Sequence, residues 1–430
     1  MQELFQLFYK CSGISTDTRK ITKDSLFIAL KGENFDGNEF ALKAIEEGAK
    51  YAIVQNKDIA LQHVNIQYTP NTLVFLQKLA EYHRNQFQIP VIGITGTNGK
   101  TTTKEFIAAV LSKKYNVLYT QGNLNNHIGV PLTLLNLTNK HEIAIIEMGA
   151  SKLGDIKELT DIAHPNYGII TNIGQAHIEG FGSVENIIQT KTELYRAIEE
   201  VKGTIIYNKK DQILLKHLPA NCTYATYGSD NADITGEVIN LTPQVNFQWK
   251  RESYSSPILH TQIIGKYNFN NLLAAITFGH LFHVESVLIN AAIEDYIPSN
   301  NRSQLKETEK NTLIMDAYNA NPTSVHSALE NFANIETDKN KMFILGDMLE
   351  LGSNTNQYHK DIISESKKLK LQGIFVGSIY HKIAQEDKDI LAFPSTQEAQ
   401  QFLSLASPKG NLILLKGSRG IGLEKLVEIL

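Results

Sequence analysis

The chain has 430 residues, of which 42% are hydrophobic and 20% are charged, and its formal net charge is −4 at pH 7. This length suffices for about three domains of ordinary size, each with its own core. The balanced charge, without a basic tract, argues against a nucleic-acid-binding surface. No run of residues approaches the ~18 apolar positions that a membrane span needs.

Cysteine content and the first residues indicate where the protein resides. The two cysteines, Cys11 and Cys222, cannot form a disulfide framework and show no metal-binding spacing, so we expect reduced thiols. The first residues lack the basic segment and the long apolar segment of a signal peptide. We therefore expect a cytoplasmic protein. We also expect a monomer with no membrane span and no nucleic-acid partner.

Residues 1–85 are predicted to form a small α/β domain. Apolar runs at 26–30 and 51–54 predict short buried strands. A helical pattern covers 40–48 and stops at Gly48, a residue type that commonly ends helices. A second helix is expected at about 71–85.

Residues 86–299 are predicted to form a central parallel sheet covered by helices. Strand patterns alternate with helical patterns at this spacing, which is typical of parallel sheets. Ligands of such sheets lie at the carboxyl ends of the strands. The polar stretch 220–264 has strand-like patches and is predicted to be an antiparallel edge of this domain. The predicted strands are 91–95, 117–120, 143–147, 167–171 and 204–207.

The loop G-T-N-G-K-T-T at 96–102 has the composition of a phosphate cradle. Gly96 and Gly99 let backbone N–H groups approach an anion, and the helix that follows adds its partial positive charge. Lys100 can reach terminal phosphates, and the Thr101 hydroxyl can ligate Mg²⁺. An isoleucine stands where the strict Walker A pattern has its first glycine, but the Gly-Lys-Thr ending favours phosphate binding over a plain tight turn.

Polar residues follow the neighbouring predicted strands. Glu147 ends a strand at the point where a Mg²⁺ ligand or a water-positioning carboxylate belongs in phosphoryl transfer; the alternative is a solvated loop acid. Asn172 ends the next strand. His177 lies in the small-residue loop after it, as a ligand contact or as a structural histidine. Lys191 lies in a helical stretch, and composition alone indicates a surface lysine.

Three asparagines, at positions 268, 270 and 271, open an apolar helical segment. One asparagine is enough for an N-cap. Since amide side chains both donate and accept, the others are candidates for contacts with an adenine edge.

Residues 300–430 are predicted to form a second doubly wound unit. Its strands are expected at 311–316, 341–347, 373–377 and 412–416, the first two ending in Asp316 and Asp347. It has a loop of its own at 416–420. We expect this unit to move about a hinge near 299–301, where small polar residues interrupt the helical pattern.

Long motifs in a fixed order then identify a family. The chain resembles the Mur ligases, the ATP-dependent ligases of peptidoglycan precursor synthesis, over nearly its whole length. Within that family it looks like the ligases that add D-alanyl-D-alanine to UDP-N-acetylmuramoyl-tripeptide. The motifs that carry the resemblance are 15–19, 35–37, 96–102, 122–131, 146–150, 172–182, 316–322, 345–352 and 416–419.

The resemblance implies an α/β protein of three domains. These are a small N-terminal UDP-substrate-binding domain at 1–85, a central P-loop-type ATPase domain at 86–299 and a C-terminal Rossmann-like domain at 300–430. It also implies ATP, Mg²⁺ at two sites, and the two substrates UDP-N-acetylmuramoyl-tripeptide and D-alanyl-D-alanine. The tripeptide carboxylate would be activated as an acyl phosphate.

The resemblance also assigns residues, position by position. The implied catalytic residues are Lys100, Glu147, His177 and Lys191. The implied metal ligands are Thr101, Glu147, His177 and Lys191, the last as a carbamate formed with CO2. The implied nucleotide-binding residues are Gly96, Thr97, Asn98, Gly99, Lys100, Thr101, Thr102, Asn268, Asn271, Arg302 and Asp316. The implied substrate-binding residues are Ser15, Asp17, Arg19, Asn125, Asn126 and His127. For the amine substrate, the candidates Tyr318, Asn319 and Asn321 follow a strand end, and amide side chains there can bind the internal amide of a dipeptide. Arg419 is either the partner of the dipeptide carboxylate or a surface arginine.

Three positions depart from the family pattern. Tyr267 and Asn38 replace histidines, and Lys210 replaces an acid. These changes concern local nucleotide contacts and leave the implied reaction class unchanged.

Four alternative functions remain open from the sequence. They are a Mur-type ligase that adds the third amino acid, a folylpolyglutamate synthetase, a P-loop switch or motor, and a nucleotide-binding module.

Overall fold

Helices and strands alternate along most of the chain, as the sequence predicts. The computed structural model describes residues 2–228, 230–299 and 302–430. Two compact units are present. Unit 1 comprises Met1–Ile94, Tyr115–Ala150 and Gly154–Gly168, and unit 2 comprises Thr95–Lys114, Ser151–Leu153 and Ile169–Leu430. The domain boundaries predicted after residues 85 and 299 stay a prediction.

The N-terminal region is a four-stranded parallel sheet with helices, in the strand order β1-β2-β3-β4. The helix predicted at 71–85 is confirmed. It begins directly after Asn71, whose Oδ1 accepts a hydrogen bond from the backbone N of Val74 at 3.0 Å. The elements are α1 (Gln2–Phe8), β1 (Ile14–Ser15), β2 (Leu26–Ile28), α2 (Ala41–Glu46), β3 (Tyr51–Val54), α3 (Lys57–Ala60), β4 (Ile66–Tyr68) and α4 (Thr72–Arg84).

Residues 91–208 contribute most strands of the central sheet and the loop at 96–102, which we call the phosphate-type loop. All five predicted strands are present, within one residue of the predicted ends. The elements are β5 (Val91–Thr95), α5 (Lys100–Leu111), β6 (Val117–Tyr119), α6 (Gly129–Leu134), β7 (Ile143–Glu147), α7 (Asp155–Ala163), β8 (Tyr167–Ile170), α8 (Ile178–Phe181), α9 (Val184–Lys191), α10 (Glu193–Glu200) and β9 (Thr204–Asn208).

One prediction for residues 220–264 is wrong in part. The first strand of this stretch, β10, pairs with β9 in parallel and ends a six-stranded sheet of order β10-β9-β8-β5-β7-β6. The other four strands form an antiparallel sheet of their own, in which β12 pairs with β11, β13 and β14. The elements are α11 (Gln212–Leu215), β10 (Thr223–Tyr227), β11 (Thr235–Leu241), β12 (Gln244–Arg251), β13 (Tyr254–Ser255), β14 (Leu259–Ile264), α12 (Phe269–Leu281) and α13 (Ser286–Asp295).

The C-terminal region is Rossmann-like, as predicted. Its sheet has the order β15-β16-β20-β17-β18-β19, with only β15 antiparallel to its neighbour. Apolar clusters cover both faces of this sheet, which is typical of doubly wound parallel sheets. The elements are β15 (Gln304–Glu307), β16 (Thr312–Asp316), α14 (Pro322–Asn334), β17 (Asn340–Gly346), α15 (Thr355–Lys368), β18 (Gln372–Val376), α16 (Ser378–Ala384), β19 (Ala392–Phe393), α17 (Thr396–Ala406) and β20 (Asn411–Lys416).

The hinge predicted near 299–301 falls largely outside the described residues, since positions 300 and 301 are not among them. Within the described part of the chain, no helix is long and apolar enough to cross a membrane.

Candidate active site

The loop between β5 and α5 depends on its two glycines. Gly96 has a φ of 145° and Gly99 a φ of 81°, a range that side-chain-bearing residues rarely adopt. A Cβ on Gly96 would lie 2.0 Å from Thr171 Oγ1, and one on Gly99 would lie 2.8 Å from Asn271 Oδ1. The glycines therefore permit both the turn and its close packing on neighbouring segments.

Asn172 holds this loop in place. The backbone N of Thr97 donates to Asn172 O at 2.9 Å, and the backbone N of Asn98 donates to Asn172 Oδ1 at 3.0 Å. Asn172 Nδ2 in turn donates to Asn98 O at 2.9 Å. Two loop amides are thus occupied within the protein, so an anion at this loop would be met chiefly by the first turn of α5 and by side chains.

Two lysines converge on one carbonyl of the loop. Lys100 Nζ donates to Gly96 O at 2.7 Å and to Thr97 O at 3.1 Å. Lys191 Nζ donates to Gly96 O at 3.1 Å. Lys191 is only 4% exposed, so the interpretation as a surface lysine is wrong. Burial, and secondarily the charge of Lys100, hold the pKa of Lys191 well below its usual value.

Burial and nearby charges, among them Lys100 and Lys191, influence the pKa of His177. Burial lowers its pKa, Glu350 opposes that shift, and Lys100 and Lys191 add to it. The residue has a φ of 52°, and its Nδ1 forms a hydrogen bond with Glu350 Oε2. No role is assigned to Glu350 from the sequence, although this residue lies in the family motif at 345–352.

Glu147 and its neighbours belong to unit 1. Glu147 is 1% exposed, which contradicts the alternative of a solvated loop acid. Its Oε1 accepts a hydrogen bond from Asn125 Nδ2 at 2.8 Å. Asn126 Oδ1 accepts from the backbone N of Gly129, the first residue of α6, at 2.9 Å, and the backbone O of His127 accepts from Gln77 Nε2 at 3.2 Å.

The asparagines at the start of α12 form an internal network. Asn271 Nδ2 donates to Asn268 Oδ1 at 2.9 Å, and Asn268 Nδ2 donates to Ile264 O at 2.7 Å and to Ser303 Oγ at 3.0 Å. Tyr267, one of the departures from the family pattern, forms a hydrogen bond with the same Ser303 hydroxyl at 3.1 Å. Asn268 precedes α12, but its side chain makes no capping hydrogen bond.

Arg302 meets the beginning of α5 at a small pocket. Arg302 also stacks on Tyr318, with its guanidinium carbon 3.7 Å from the ring centroid, and the Arg419 guanidinium carbon lies 5.4 Å from the same centroid. Asp316 is paired with Lys416 Nζ at 2.7 Å. The pocket is lined by Thr101, Thr102, Glu105, Ile263, Tyr296, Ser299 and Arg302.

Asn319 and Asn321 differ in burial and in their hydrogen-bond partners. Asn319 is exposed, and its Oδ1 accepts from the backbone N of Ala320 at 2.9 Å. Asn321 is buried; its Oδ1 caps α14 through the backbone N of Ser324, and its Nδ2 donates to Asn98 Oδ1 at 2.8 Å.

The residues expected on the uridine side form a local cluster in unit 1. Asp17 binds Arg19 through both carboxylate oxygens, at 3.0 and 2.8 Å, and this hydrogen bonding lowers the pKa of Asp17 to about 2. Ser15 Oγ donates to Asp17 O at 2.8 Å.

The other two departures from the family pattern make local hydrogen bonds. Asn38 is buried and accepts at its Oδ1 from the backbone N of Gln55 at 2.8 Å. Lys210 donates its backbone N to Asn208 Oδ1 at 3.0 Å.

Comparison with known proteins assigns the chain to a family. Three family models match: Mur ligase family, catalytic domain, at residues 10–85; Mur ligase middle domain at 94–279; and Mur ligase, glutamate ligase domain, at 301–419. The UDP-N-acetylmuramoyl-tripeptide–D-alanyl-D-alanine ligase of Bacillus subtilis is 36% identical, over 97% of this chain and 92% of the relative.

Solved structures give the same result. MurF from Acinetobacter baumannii aligns with a TM-score of 0.89 and 30% identity, covering 99% of this chain and 97% of that one. MurF ligase from Thermotoga maritima in complex with ADP aligns with a TM-score of 0.85 and 25% identity, covering 100% and 98%.

Proposed function

This chain belongs to the Mur ligase family, and from that premise we propose that it joins D-alanyl-D-alanine to UDP-N-acetylmuramoyl-tripeptide at the expense of ATP. The observation that carries the proposal is the likeness, over 97% of the chain, to a ligase of that name. Two lysines converging on the Gly96 carbonyl support a site for phosphate groups.

The proposed chemistry has two steps. The terminal carboxylate of the tripeptide attacks the γ-phosphorus of ATP, forming an acyl phosphate and releasing ADP. The amine of D-alanyl-D-alanine then attacks the acyl carbon, loses a proton and displaces inorganic phosphate. Two anions meet in the first step, and Lys100 offsets their repulsion when it turns from the loop carbonyls to the phosphates.

The residues of the site fit a divalent cation only after Lys191 has changed its charge. As ammonium groups, Lys100 and Lys191 would both repel Mg²⁺. Burial favours the neutral amine of Lys191, which is the form that attacks CO2; the product is a carbamate and a released proton. Lys191 would then be an anionic ligand, and the resemblance assigns Thr101, Glu147 and His177 as the other ligands. Bound Mg²⁺ would supply electrostatic stabilisation of the phosphate charge at two sites.

The remaining assignments belong to the same proposal. Domains at 1–85, 86–299 and 300–430 bind the UDP moiety, bind ATP and complete the nucleotide site, in that order. Arg302 and Asp316, with Asn268 and Asn271, contact the nucleotide. We place the enzyme in the cytoplasm, where ATP is its cosubstrate, and we expect a monomer. Ser15, Asp17 and Arg19 serve the uridine side, and Asn125, Asn126 and His127 serve the acceptor carboxylate.

The amine substrate is a dipeptide because the C-terminal region offers groups that suit one. Tyr318 and the exposed Asn319 follow a strand end, and an amide side chain can pair with an internal amide as both donor and acceptor. The amide of Asn321, which the sequence also suggested for this role, is already hydrogen-bonded to Asn98 and to the backbone of Ser324. Arg419 is a candidate partner for the dipeptide carboxylate. A single amino acid would leave such polar groups unpaired, which discriminates strongly against it.

The test is a competition among four amines in a coupled assay that follows ADP and phosphate. We expect D-alanyl-D-alanine to have a far higher kcat/KM than D-alanine, L-lysine or meso-diaminopimelate. Comparable values for a free amino acid would return the chain to the wider ligase family. ATP hydrolysis without either substrate would favour a switch or motor, and no ADP with all substrates present would favour a binding module.

A further inference from the structure

Asn321 links the start of α14 to the phosphate-type loop. Its Oδ1 accepts from the backbone N of Ser324 at 2.9 Å, while Ser324 Oγ accepts from the backbone N of Asn321 at 3.1 Å. This capping box fixes which way the amide group faces. The remaining end of the amide, Nδ2, donates to Asn98 Oδ1 at 2.8 Å. The helix cap therefore aims a donor at the loop.

Asn98 is held by its backbone as well as by its side chain. Its carbonyl oxygen accepts from Thr171 Oγ1 at 2.6 Å and from Asn172 Nδ2 at 2.9 Å. These two hydrogen bonds hold the backbone of Asn98, and the hydrogen bond from Asn321 Nδ2 holds its side chain. Because Asn98 lies directly before Gly99, its orientation bears on the turn that opens α5.

Thr97 and Gly174 extend the contact between the phosphate-type loop and the start of α14. Thr97 Oγ1 donates to Gly174 O at 3.1 Å and accepts from the backbone N of Gly174 at 2.9 Å. A Cβ on Gly174 would lie 3.4 Å from Thr323 Oγ1, so this glycine lies directly against the first turn of α14. The hydrogen bond between His177 and Glu350 provides a further link from the C-terminal region to the loop after β8.

We propose that Asn321 is a positioning residue for the nucleotide site, and that it acts through Asn98 to hold the phosphate-type loop when the start of α14 is seated on it. This inference rests on the nucleotide-binding part of the proposed function. It assigns the buried amide of Asn321 to the loop, and it leaves Tyr318, Asn319 and Arg419 as the candidates for contact with the dipeptide.

The decisive variant is Asn321→Asp. Aspartate caps a helix about as well as asparagine, but it replaces the Nδ2 donor by an oxygen that faces Asn98 Oδ1. We expect the affinity for a non-hydrolysable ATP analogue, measured by calorimetry, and the kcat/KM for ATP each to fall about 10-fold. The KM for D-alanyl-D-alanine should not change.

Ser324→Ala is the matched control, since it removes the other half of the capping box and leaves the amide pair in place. We expect its ATP-analogue affinity to stay within about 2-fold of the wild type. Thermal unfolding of each variant shows that it is folded. An equal loss of affinity in Ser324→Ala would mean that the cap alone matters, which overturns the proposal.

A double-mutant cycle with Asn98→Ala tests whether the two asparagines act through each other. If they do, Asn98→Ala combined with Asn321→Asp binds the analogue no more weakly than Asn98→Ala alone. Additive losses would overturn the proposal, and so would an Asn321→Asp variant that changes only the KM for the dipeptide. A wild type that binds the analogue but ligates no dipeptide would contradict the proposed function instead, because the affinity measurement needs no acceptor.

Discussion

At the scale of single residues, the distinguishing feature is that two lysine amines meet at the Gly96 carbonyl. Lys100 and Lys191 both donate to this oxygen, and Lys191 is buried. Two lysine amines that meet at one carbonyl of this loop suit a site for anions. ATP phosphates would pair with Lys100, and conversion to a carbamate would make Lys191 an anionic group.

Replacing Lys100 tests the first of these roles. Lys100→Ala should lower kcat by at least about 100-fold, because the charge that offsets the phosphate repulsion is lost. Circular dichroism should show a folded chain. Lys368→Ala, which alters a side chain that is 79% exposed, is the control and should keep full activity. Near-normal turnover of Lys100→Ala would refute the phosphate-cradle interpretation.

Replacing Lys191 tests the second. Lys191→Ala should be nearly inactive, and formate or acetate should restore part of the activity by supplying the missing anionic group. The same ions added to Lys100→Ala should restore nothing. Incubation of the wild type with ¹³C-labelled bicarbonate should give a carbamate signal in the NMR spectrum that Lys191→Ala lacks. Full activity of Lys191→Ala without added anions would rule out the carbamate role.

At the scale of elements, the antiparallel sheet β11–β14 shows how a polar sequence can still build a core. Its strand β12 buries Val245, Phe247 and Trp249 on alternate positions. The indole Nε1 of Trp249 donates to Asn290 Oδ1 of α13 at 2.8 Å. The remaining positions of β12 are polar, so this strand lies in a stretch that is polar in sequence.

His280, near the end of α12, makes this part of the fold sensitive to acid. Arg251 Nη1 lies 3.1 Å from His280 Nδ1, and burial, aided by Arg251, lowers the pKa of His280 to about 4. The unfolded chain therefore binds more protons than the folded one between about pH 6.5 and pH 4. Stability should accordingly fall as the pH is lowered through that window.

The measurement is urea unfolding at several pH values from 4 to 7. His280→Gln keeps an acceptor for Arg251 but cannot titrate, so its stability should fall less steeply than that of the wild type. The exposed His260 gives the control variant His260→Gln, which should behave like the wild type. Identical slopes for His280→Gln and the wild type would show that His280 does not govern the acid sensitivity.

At the scale of the whole molecule, the proposed reaction needs ligands from regions far apart in sequence. Arg302 and Asp316 follow the central region, yet both are expected to serve a nucleotide at 96–102. Closure of the third domain would assemble the site and keep water away from the acyl phosphate.

Solution scattering tests this motion directly. We expect the radius of gyration to decrease when ATP analogue and the UDP-linked tripeptide are both present, relative to the free protein. Lys100→Ala, which should bind the nucleotide poorly, provides the control and should compact less. A radius of gyration that stays the same in every ligand state would count against closure.

Sequence alone located the parallel strands and the loop, because these depend on local patterns, whereas the sheet arrangement of residues 220–264 was predicted wrongly in part. Apolar runs that alternate with helical patterns located the parallel strands to within one residue at most ends. Two glycines followed by a lysine marked the turn after β5. The family resemblance supplied the proposed roles of residues such as Lys191, for which composition indicated only a surface position.

Tertiary structure decided which side chains meet, because these contacts join residues remote in sequence. Lys191 and Gly96 are 95 positions apart, His177 and Glu350 are 173 apart, and Asn98 and Asn321 are 223 apart. No periodicity or spacing encodes such pairs. Burial of Lys191 and the direction of the Asn321 amide arise only when strands, helices and caps have packed, since desolvation and capping geometry are properties of the folded chain.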